Sequence, residues 1–398
     1  MTSSATTSEA SLGLAWLSTF GCSPLLRLLG RHSPDAIWTA SRSSLAKWGL
    51  TKAAVGRFEG RRREFDAPAA AKAVQDAGLL FVSHDQCDYP NGLRHLPLPP
   101  AGLFVRGGRI PLAAVMATPR VVIVGTRKPT PYGLLLAEAF AATFARAGVT
   151  VVSGLAMGID GRSHEGALWA GGMSIAVLGC GADVIYPRSH RKLYSMVADQ
   201  GAVLSELPPG ATPTRWTFPQ RNRVLAALGD AVLVVEAGVT SGALQTADWA
   251  LELGRPVFAV PGPITGENHR GTNRLIYEGA FPALDPAVTV EDFLLLTRIE
   301  RGDRHPITLG TAPETTGGRL FVSPERSAQD EGRRDGDRSD VSPSEVKVLG
   351  WLCTGALSVD AVVERTGLSV REVTTSLSRL QLRGEVARAG PGLFIRAP

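Results

Sequence analysis

The sequence predicts an α/β fold: an open, doubly wound, mostly parallel sheet with a small N-terminal helical domain and a C-terminal winged-helix domain. Apolar runs such as PRVVIVGTR, VTVVSG and AVLVVEAG alternate with helical patterns across residues 77–297. Strands that are apolar throughout have both faces covered, which is typical of parallel strands joined by helices. We therefore expect right-handed crossovers and helices on both faces of the sheet.

The N-terminal region, residues 1–76, contains short apolar runs separated by Gly and Ser-Pro. This pattern predicts a helical domain of the SAM or helix-hairpin-helix kind. Ser33-Pro34-Asp35 predicts a helix start, because serine caps the first turn and proline fits the first helical position. The basic segment GRRREFD is interpreted as a solvated helix end in preference to a DNA-binding patch.

The C-terminal region separates into a linker and a compact domain. Residues 298–341 are rich in charge, Gly, Pro, Ser and Thr, which predicts a flexible linker. In residues 342–398, two short helices, a turn at Gly367, a longer helix and a hairpin predict a winged helix-turn-helix. The third helix carries only Arg371 and Arg379, so partner docking, regulation of a dimer and duplex DNA binding all stay open.

Composition restricts the class of protein. The chain has 398 residues, of which 44% are hydrophobic, enough for more than one domain. It has no apolar run long enough to span a membrane and no basic segment before its first apolar stretch, so we expect a cytoplasmic protein with no membrane partner. The cysteines stand singly, which predicts reduced, mostly buried thiols and no zinc site. They are Cys22, Cys87, Cys180 and Cys353.

The net charge of +5 indicates a mild preference for anionic partners. Arginine supplies most of the cations, and its planar guanidinium is suited to bidentate phosphate binding. In an open parallel sheet, ligands bind outside the carboxyl ends of the strands. Cations follow three of the predicted strands, namely Arg127, Lys128, Arg188, His190, Arg191, Lys192, Arg221 and Arg223.

These basic helix starts oppose the helix dipole, which normally favours acidic residues there, so a bound anion is the better explanation. A ligand with several phosphates lying across neighbouring strand ends fits the pattern. Single-stranded nucleic acid is the natural candidate, with Tyr186, Tyr132 or Phe218 available to stack a base. Dinucleotide cofactors are disfavoured because VGTRKP and GCGADV lack glycines of GxGxxG, and the P-loop pattern is absent. We predict no cofactor and no metal.

A catalytic role is the main alternative to a binding role. His164 is a candidate base, with Ser153 or Asp160 nearby, but no GxSxG elbow exists and a helical histidine is more often structural. Glu236 is either catalytic or orders Arg221 or Arg223, and the ordering role is favoured because no second acid or metal set accompanies it.

Several motifs together resemble a known family. VVIVGTRKPTPYG, VVSGLAMGIDGRSHEGAL, IAVLGCGADVIYPRSHRKL and FPQRNRVLAALGDAVLVVEA fall within residues 104–281 and resemble the bacterial DNA-processing family DprA, also called Smf. The resemblance implies a Rossmann-like domain that binds single-stranded DNA, loads the recombinase RecA during natural transformation and recombination, forms a homodimer and is not an enzyme. The family's glycine-Ser/Thr-arginine DNA motif falls on Gly125, Thr126 and Arg127, and its basic residue after Tyr-Pro falls on Arg188.

Some positions depart from the family pattern, and they affect packing more than charge. They are Gly229, Gln245 and Ser163. For the Arg221-Asn222-Arg223 cluster, ordering the site is favoured over direct DNA contact. We predict no catalytic residue. The predicted DNA-binding set is Gly125, Thr126, Arg127, Lys128, Ser153, Gly154, Arg188, His190, Lys192, Arg221, Asn222, Arg223 and Ser241.

Two other functions stay open at this point. EAGVTSGALQT loosely resembles nucleoside-monophosphate phosphoribohydrolases on a related sheet, but the PGGxGTxxE signature of that family is missing. A transcription regulator, with the winged helix as DNA reader and the sheet as effector domain, is the third hypothesis. The phosphoribohydrolase hypothesis predicts release of free base from nucleotides. The regulator hypothesis predicts preference for a specific duplex over single strands.

Overall fold

A computed structural model describes residues 9–19, 23–108, 110–301, 342–352, 357–382, 385–390 and 393–396. The chain divides into two compact units, Met1–Thr308 and Leu309–Pro398. Within the described ranges, no helix combines the length and the apolarity that a membrane crossing needs.

The first unit is built on a sheet that has nine strands in the described residues. They are β1 (Leu80–Ser83), β2 (Gly102–Gly107), β3 (Arg120–Val124), β4 (Thr150–Ser153), β5 (Ser174–Val177), β6 (Gly201–Ser205), β7 (Ala231–Val234), β8 (Val257–Ala259) and β9 (Phe281–Pro282). The strand order is β1-β2-β6-β5-β4-β3-β7-β8-β9. Pairing is parallel from β6 across to β9, whereas β1 and β2 pair antiparallel on the β6 edge. The predicted doubly wound, mostly parallel sheet is confirmed.

Three strands were not predicted. β1 and β2 flank the proline-rich segment PNGLRHLPLPP and stand outside the repeating strand–helix pattern, whereas β9 has only two residues, one of them proline. Periodicity over two residues does not distinguish a strand from a loop.

Helices surround this sheet and its N-terminal extension. They are α1 (Glu9–Leu17), α2 (Pro34–Thr39), α3 (Arg42–Lys47), α4 (Lys52–Glu64), α5 (Ala67–Asp76), α6 (Asn91–Arg94), α7 (Leu112–Ala117), α8 (Pro131–Arg146), α9 (Ile159–Trp169), α10 (Arg191–Asp199), α11 (Thr217–Leu228), α12 (Gly242–Glu252), α13 (Arg270–Tyr277) and α14 (Pro286–Arg301). Short 3₁₀ helices cover Ser23–Gly30, Arg188–His190 and Glu267–His269.

Both faces of the sheet are buried, as the continuous apolar strands predict. Val121 and Ile123 of β3 pack with side chains of α8 and α14. Val122 and Val124, which alternate with them, pack with side chains of α11 and α12 on the other face. This two-sided packing fixes the starts of α11 and α12 beside the carboxyl ends of the strands.

The N-terminal helices α1 to α5 share a core with the antiparallel strands, including Phe81 and Phe104. Ser33 caps α2, accepting a hydrogen bond from the Ala36 amide at 3.2 Å, with proline at the first helical position as predicted. The domain bounds stay a prediction. Of the cysteines, Cys180 is buried and Cys87 is exposed; Cys22 and Cys353 lie outside the described residues.

The second unit contains α15 (Pro343–Leu352), α16 (Val359–Thr366), α17 (Val370–Leu382), β10 (Leu357–Ser358), β11 (Val386–Gly390) and β12 (Leu393–Arg396). Its strands pair in the order β10-β12-β11. Gly367 ends α16 at φ +67°, a left-handed conformation that glycine adopts without strain. This arrangement confirms the winged helix-turn-helix. Residues 302–341, most of the predicted linker, lie outside the described residues, and α14 continues to Arg301.

Candidate nucleic-acid interface

The strand order reverses at β3, which lies between β4 and β7, and such a switch point is where open α/β sheets bind ligands. A cleft of about 950 Å³ lies here. It is lined by the loops after β3 and β7, by the start of α11 and by residues around the start of α13. We call it the rim cleft.

The loop after β3 is held in place by backbone hydrogen bonds. The Thr126 amide donates to the Glu236 carbonyl at 2.7 Å, and the Thr126 carbonyl accepts from the Ile159 amide at 3.2 Å. A side chain at Gly125 would place Cβ 2.6 Å from the Ile159 side chain and 2.9 Å from the Glu236 carbonyl, so the close approach requires glycine. The loop is therefore fixed, with Arg127 and Lys128 exposed at its end.

Positive charge predominates in the rim cleft. Among the residues that the structure describes, the carboxylates that line it are Asp160 and Glu267. Five cations of the same described ranges line it, namely Arg127, Lys128, Arg215, Arg221 and Arg270. Within the described part of the chain, only Arg221 of these five is buried, and none has a carboxylate oxygen within the 4.0 Å of an ion pair. Unpaired exposed cations in a concave site attract anions.

Aromatic rings adjoin these cations. The Arg127 guanidinium carbon lies 4.8 Å from the centroid of the Phe218 ring, a cation–π arrangement. Tyr186 lies beside Phe218, with ring centroids 5.6 Å apart and planes tilted by 44°. Both rings line the cleft. Tyr132, the third predicted ring, instead packs edge-on to His269 and donates to the Pro261 carbonyl at 3.3 Å.

Arg221 forms part of the cleft floor. Its guanidinium donates to the carbonyls of Gly154, at 2.9 Å, and Val177. Burial lowers the pKa of Arg221, an effect that Asp160 opposes, and burial likewise raises the pKa of Asp160. A Cβ at Gly154 would lie 2.1 Å from the Arg221 guanidinium, so this glycine makes room for the arginine.

Asn222 and Arg223 also hold protein groups. The Asn222 amide donates to the Gly242 carbonyl at 3.1 Å, joining α11 to the start of α12. Arg223 donates to the Leu98 carbonyl at 2.7 Å and is ion-paired with Glu206. These contacts support the ordering role favoured for the cluster.

The expectation for the partners of Glu236 was wrong. Its buried carboxylate accepts from the amide of Thr130 at 2.9 Å and from the Thr130 hydroxyl, and it lies 3.5 Å from His269 Nε2. Glu236 therefore orders the start of α8 and not Arg221 or Arg223, because those arginines bond to carbonyls and Glu206 on other elements.

Two of the candidate catalytic residues, His164 and Ser153, are occupied by structural bonds, while a further candidate, Asp160, lines the cleft. His164 is fully buried, its Nδ1 lies 2.7 Å from the Ser174 hydroxyl, and burial lowers its pKa to about 3. Ser153 is also fully buried and donates its hydroxyl proton to the Ile123 carbonyl at 2.6 Å. His164 and Ser153 therefore do not form a nucleophile–base pair.

The remaining predicted residues are placed differently. Ser241 lines the cleft and caps α12, accepting from the Ala243 amide at 3.3 Å. Arg188 and Lys192 are exposed but outside the set that lines the cleft, although Arg188 follows Tyr186 by two positions. The Nδ1 atom of His190 lies 3.1 Å from the Leu155 carbonyl oxygen. DNA contact by these residues stays a prediction.

Arg215, Arg270 and Asn268 are among the cleft residues that sequence reasoning missed. Arg215 precedes α11, and Arg270 begins α13. Asn268 donates to the Lys128 carbonyl at 3.0 Å and so joins the loop after β3 to the region before α13. The strand-end rule could have found Arg270, because ITGENHRGTN follows the strand RPVFAVPG.

Comparisons with known proteins agree with this architecture. The model of the family described as DNA recombination-mediator protein A matches residues 80–294, and a DprA winged helix domain model matches residues 333–392. Protein Smf of Synechocystis sp. is 32% identical over 97% of this chain and 98% of its own length. Protein Smf of Escherichia coli is 38% identical over 91% of this chain and 90% of its own length.

Among solved structures, DNA processing protein A (DprA) from Streptococcus pneumoniae is similar. It has a TM-score of 0.63 and 30% identity, covering 72% of this chain and 98% of that one. The family model spans more than half of the chain, and the relatives align over nearly their whole length. This chain belongs to the DprA/Smf family of DNA recombination-mediator proteins.

Proposed function

We propose that this protein binds single-stranded DNA in the rim cleft and loads RecA onto it during transformation and recombination. The observation that carries the proposal is the exposed Arg127 guanidinium, which packs on Phe218 and has no ion-pair partner among the described residues, in a cleft where those residues supply five cations and two carboxylates. Guanidinium groups neutralise phosphates, and rings stack bases. The base faces of a single strand are accessible, which favours it over a duplex.

Family membership supports the further parts of the proposal. The protein acts as a mediator and not as an enzyme, it works in the cytoplasm, and it assembles as a homodimer through the sheet-containing domain. The burial of His164, Ser153 and Glu236 supports the non-catalytic role, because none of these groups reaches the cleft as a free nucleophile or base.

Fluorescence anisotropy with a labelled oligo-dT and a duplex of equal length tests DNA binding. If each protomer neutralises about four phosphates, log affinity falls against log salt concentration with a slope of about −3. Arg127→Ala weakens binding to all sequences alike. Arg146→Ala, on the far end of α8 and outside the cleft lining, is the matched control and binds as the wild type does.

Equal binding by Arg127→Ala and the wild type would reject the cleft as the DNA site. The same oligonucleotide in a gel shift with RecA present tests loading: RecA–DNA complexes form at lower RecA concentration with the protein than without it. No change in the RecA requirement would reject the mediator role while leaving DNA binding in place.

A further inference from the structure

Arg215 and Trp216 form an exposed pair immediately before α11. Trp216 is 66% exposed, and the Arg215 guanidinium carbon lies 4.5 Å from the centroid of its ring. Arg215 also lines the rim cleft. An indole this exposed presents a large aromatic face on which a ligand can stack.

A turn presents the pair rigidly. The Thr217 amide and hydroxyl donate to the Thr214 carbonyl at 3.2 and 2.9 Å, and the Thr214 amide donates back to the Thr217 hydroxyl at 3.2 Å. Arg215 and Trp216 are the two central residues of this turn. Trp216 makes no side-chain capping bond to α11. The turn and the helix therefore do not depend on the indole.

A second arginine–tryptophan pair in the same unit shows what is particular to the first. Trp169 is 59% exposed, with the Arg162 guanidinium carbon 5.6 Å from its ring centroid. Arg162, however, is ion-paired with Glu165 at 3.0 Å and Glu138 at 3.4 Å. Arg215 has no carboxylate oxygen within 4.0 Å among the described residues. Its charge is available to an anion.

The pair also continues the chemistry of the cleft. Phe218, two positions after Trp216, carries the Arg127 guanidinium on its ring. Rings thus alternate around the start of α11 with guanidinium groups that have no ion-pair partner in the described part of the chain. Single-stranded nucleic acid presents the complementary series of bases and phosphates.

We propose that Arg215 and Trp216 form a further single-strand contact at the edge of the rim cleft, where a base stacks on the indole and Arg215 binds the adjoining phosphate. This rests on the proposed function, since it needs a strand that occupies the cleft. It adds a stacking residue outside the predicted contact set.

Intrinsic fluorescence and anisotropy test the proposal on the full chain. Oligo-dT quenches the fluorescence of the wild type, Trp216→Phe loses most of that quenching, and Trp169→Phe retains it. Trp216→Ala weakens oligo-dT binding roughly 5- to 150-fold, as expected for one stacked base. Trp169→Ala binds as the wild type does. Thermal melting confirms that all four variants are folded.

An abasic oligonucleotide of equal length separates stacking from charge. It binds the wild type and Trp216→Ala equally, because it has no base to stack. Arg215→Ala binds the abasic oligonucleotide more weakly than the wild type does. If Trp216→Ala binds oligo-dT like the wild type while Arg127→Ala does not, this inference fails and the proposed function stands. If the wild type does not bind oligo-dT, the proposed function fails and the inference fails with it.

Discussion

Arg127 and Arg223 belong to the same domain, each in a basic cluster that follows a strand of the sheet, yet their surroundings differ. Arg127 is exposed, packs on Phe218 and has no carboxylate within ion-pair distance in the described part of the chain. Arg223 is 9% exposed, donates to a backbone carbonyl and is ion-paired with Glu206. One lines the rim cleft, and the other is a buried polar residue that bonds to protein groups outside the cleft lining.

This difference separates binding from stability. A rim cation can be removed without leaving a buried charge, so its loss affects an anionic ligand and not the fold. A buried cation such as Arg223 bonds to protein groups that would otherwise be desolvated and unpaired. A substitution in the rim should therefore lower the affinity for DNA and leave the unfolding free energy unchanged. A substitution of a buried polar residue should instead lower the unfolding free energy.

The largest effect is expected for Arg223→Ala. It leaves the Glu206 carboxylate, whose side chain is only 14% exposed, without its ion-pair partner. Breaking a buried pair in this way costs about 3–5 kcal/mol of the free energy of unfolding, measured by urea denaturation. Arg127→Ala is the control and changes that free energy by less than about 0.5 kcal/mol. Similar losses in both variants would remove the distinction between the two regions.

His164 is another buried polar residue, and it should make stability depend on pH. Burial lowers its pKa from the ordinary 6.5 to about 3, so between these pH values the unfolded chain binds a proton that the folded chain excludes. The contribution of His164 to the free energy of unfolding is therefore constant above pH 6.5. It falls below that pH, by at most about 1.4 kcal/mol per pH unit.

His164→Asn isolates this contribution. Asparagine carries no titrating charge and can still bond to the Ser174 hydroxyl, which lies 2.7 Å from His164 Nδ1. Unfolding free energies at pH 7.5 and pH 5 should differ less for the variant than for the wild type. Equal differences would mean that other groups account for the acid sensitivity.

Much of the fold could be predicted from the sequence because its information is local. Continuous apolar strands such as AVLVVEAG, separated by helical patterns, are sufficient for a parallel sheet covered on both faces. The same reasoning located Gly125 to Lys128 at a strand end, where the rim cleft lies. Strands β1 and β2 were missed because they pair antiparallel across the proline-rich segment PNGLRHLPLPP and so stand outside the repeating strand–helix pattern that identified the parallel strands.

Which polar residues line the rim cleft and which are buried could not be predicted, since this depends on partners that are distant in sequence. Arg223 donates to the carbonyl of Leu98, which is 125 positions away. Glu236 accepts from the amide of Thr130, which is 106 positions away. Nothing near Glu236 in the chain indicates that its carboxylate supports α8. A basic residue after a strand indicates the edge where a ligand binds, but not whether that residue faces the ligand.

The smallest effect, and the finest test of the comparison, concerns two arginines of α13. Arg270 lines the rim cleft, while Arg274, one turn later, is ion-paired with Glu278 at 2.7 Å. Arg270→Ala should reduce the steepness of the salt dependence of oligo-dT binding by about 0.7, the value for one phosphate on a single strand. Arg274→Ala should leave it unchanged, because its charge is already neutralised and its side chain is outside the cleft lining. Anisotropy titrations between low and moderate salt measure both slopes, and equal slopes for the two variants would show that position in the cleft does not determine which cations meet the strand.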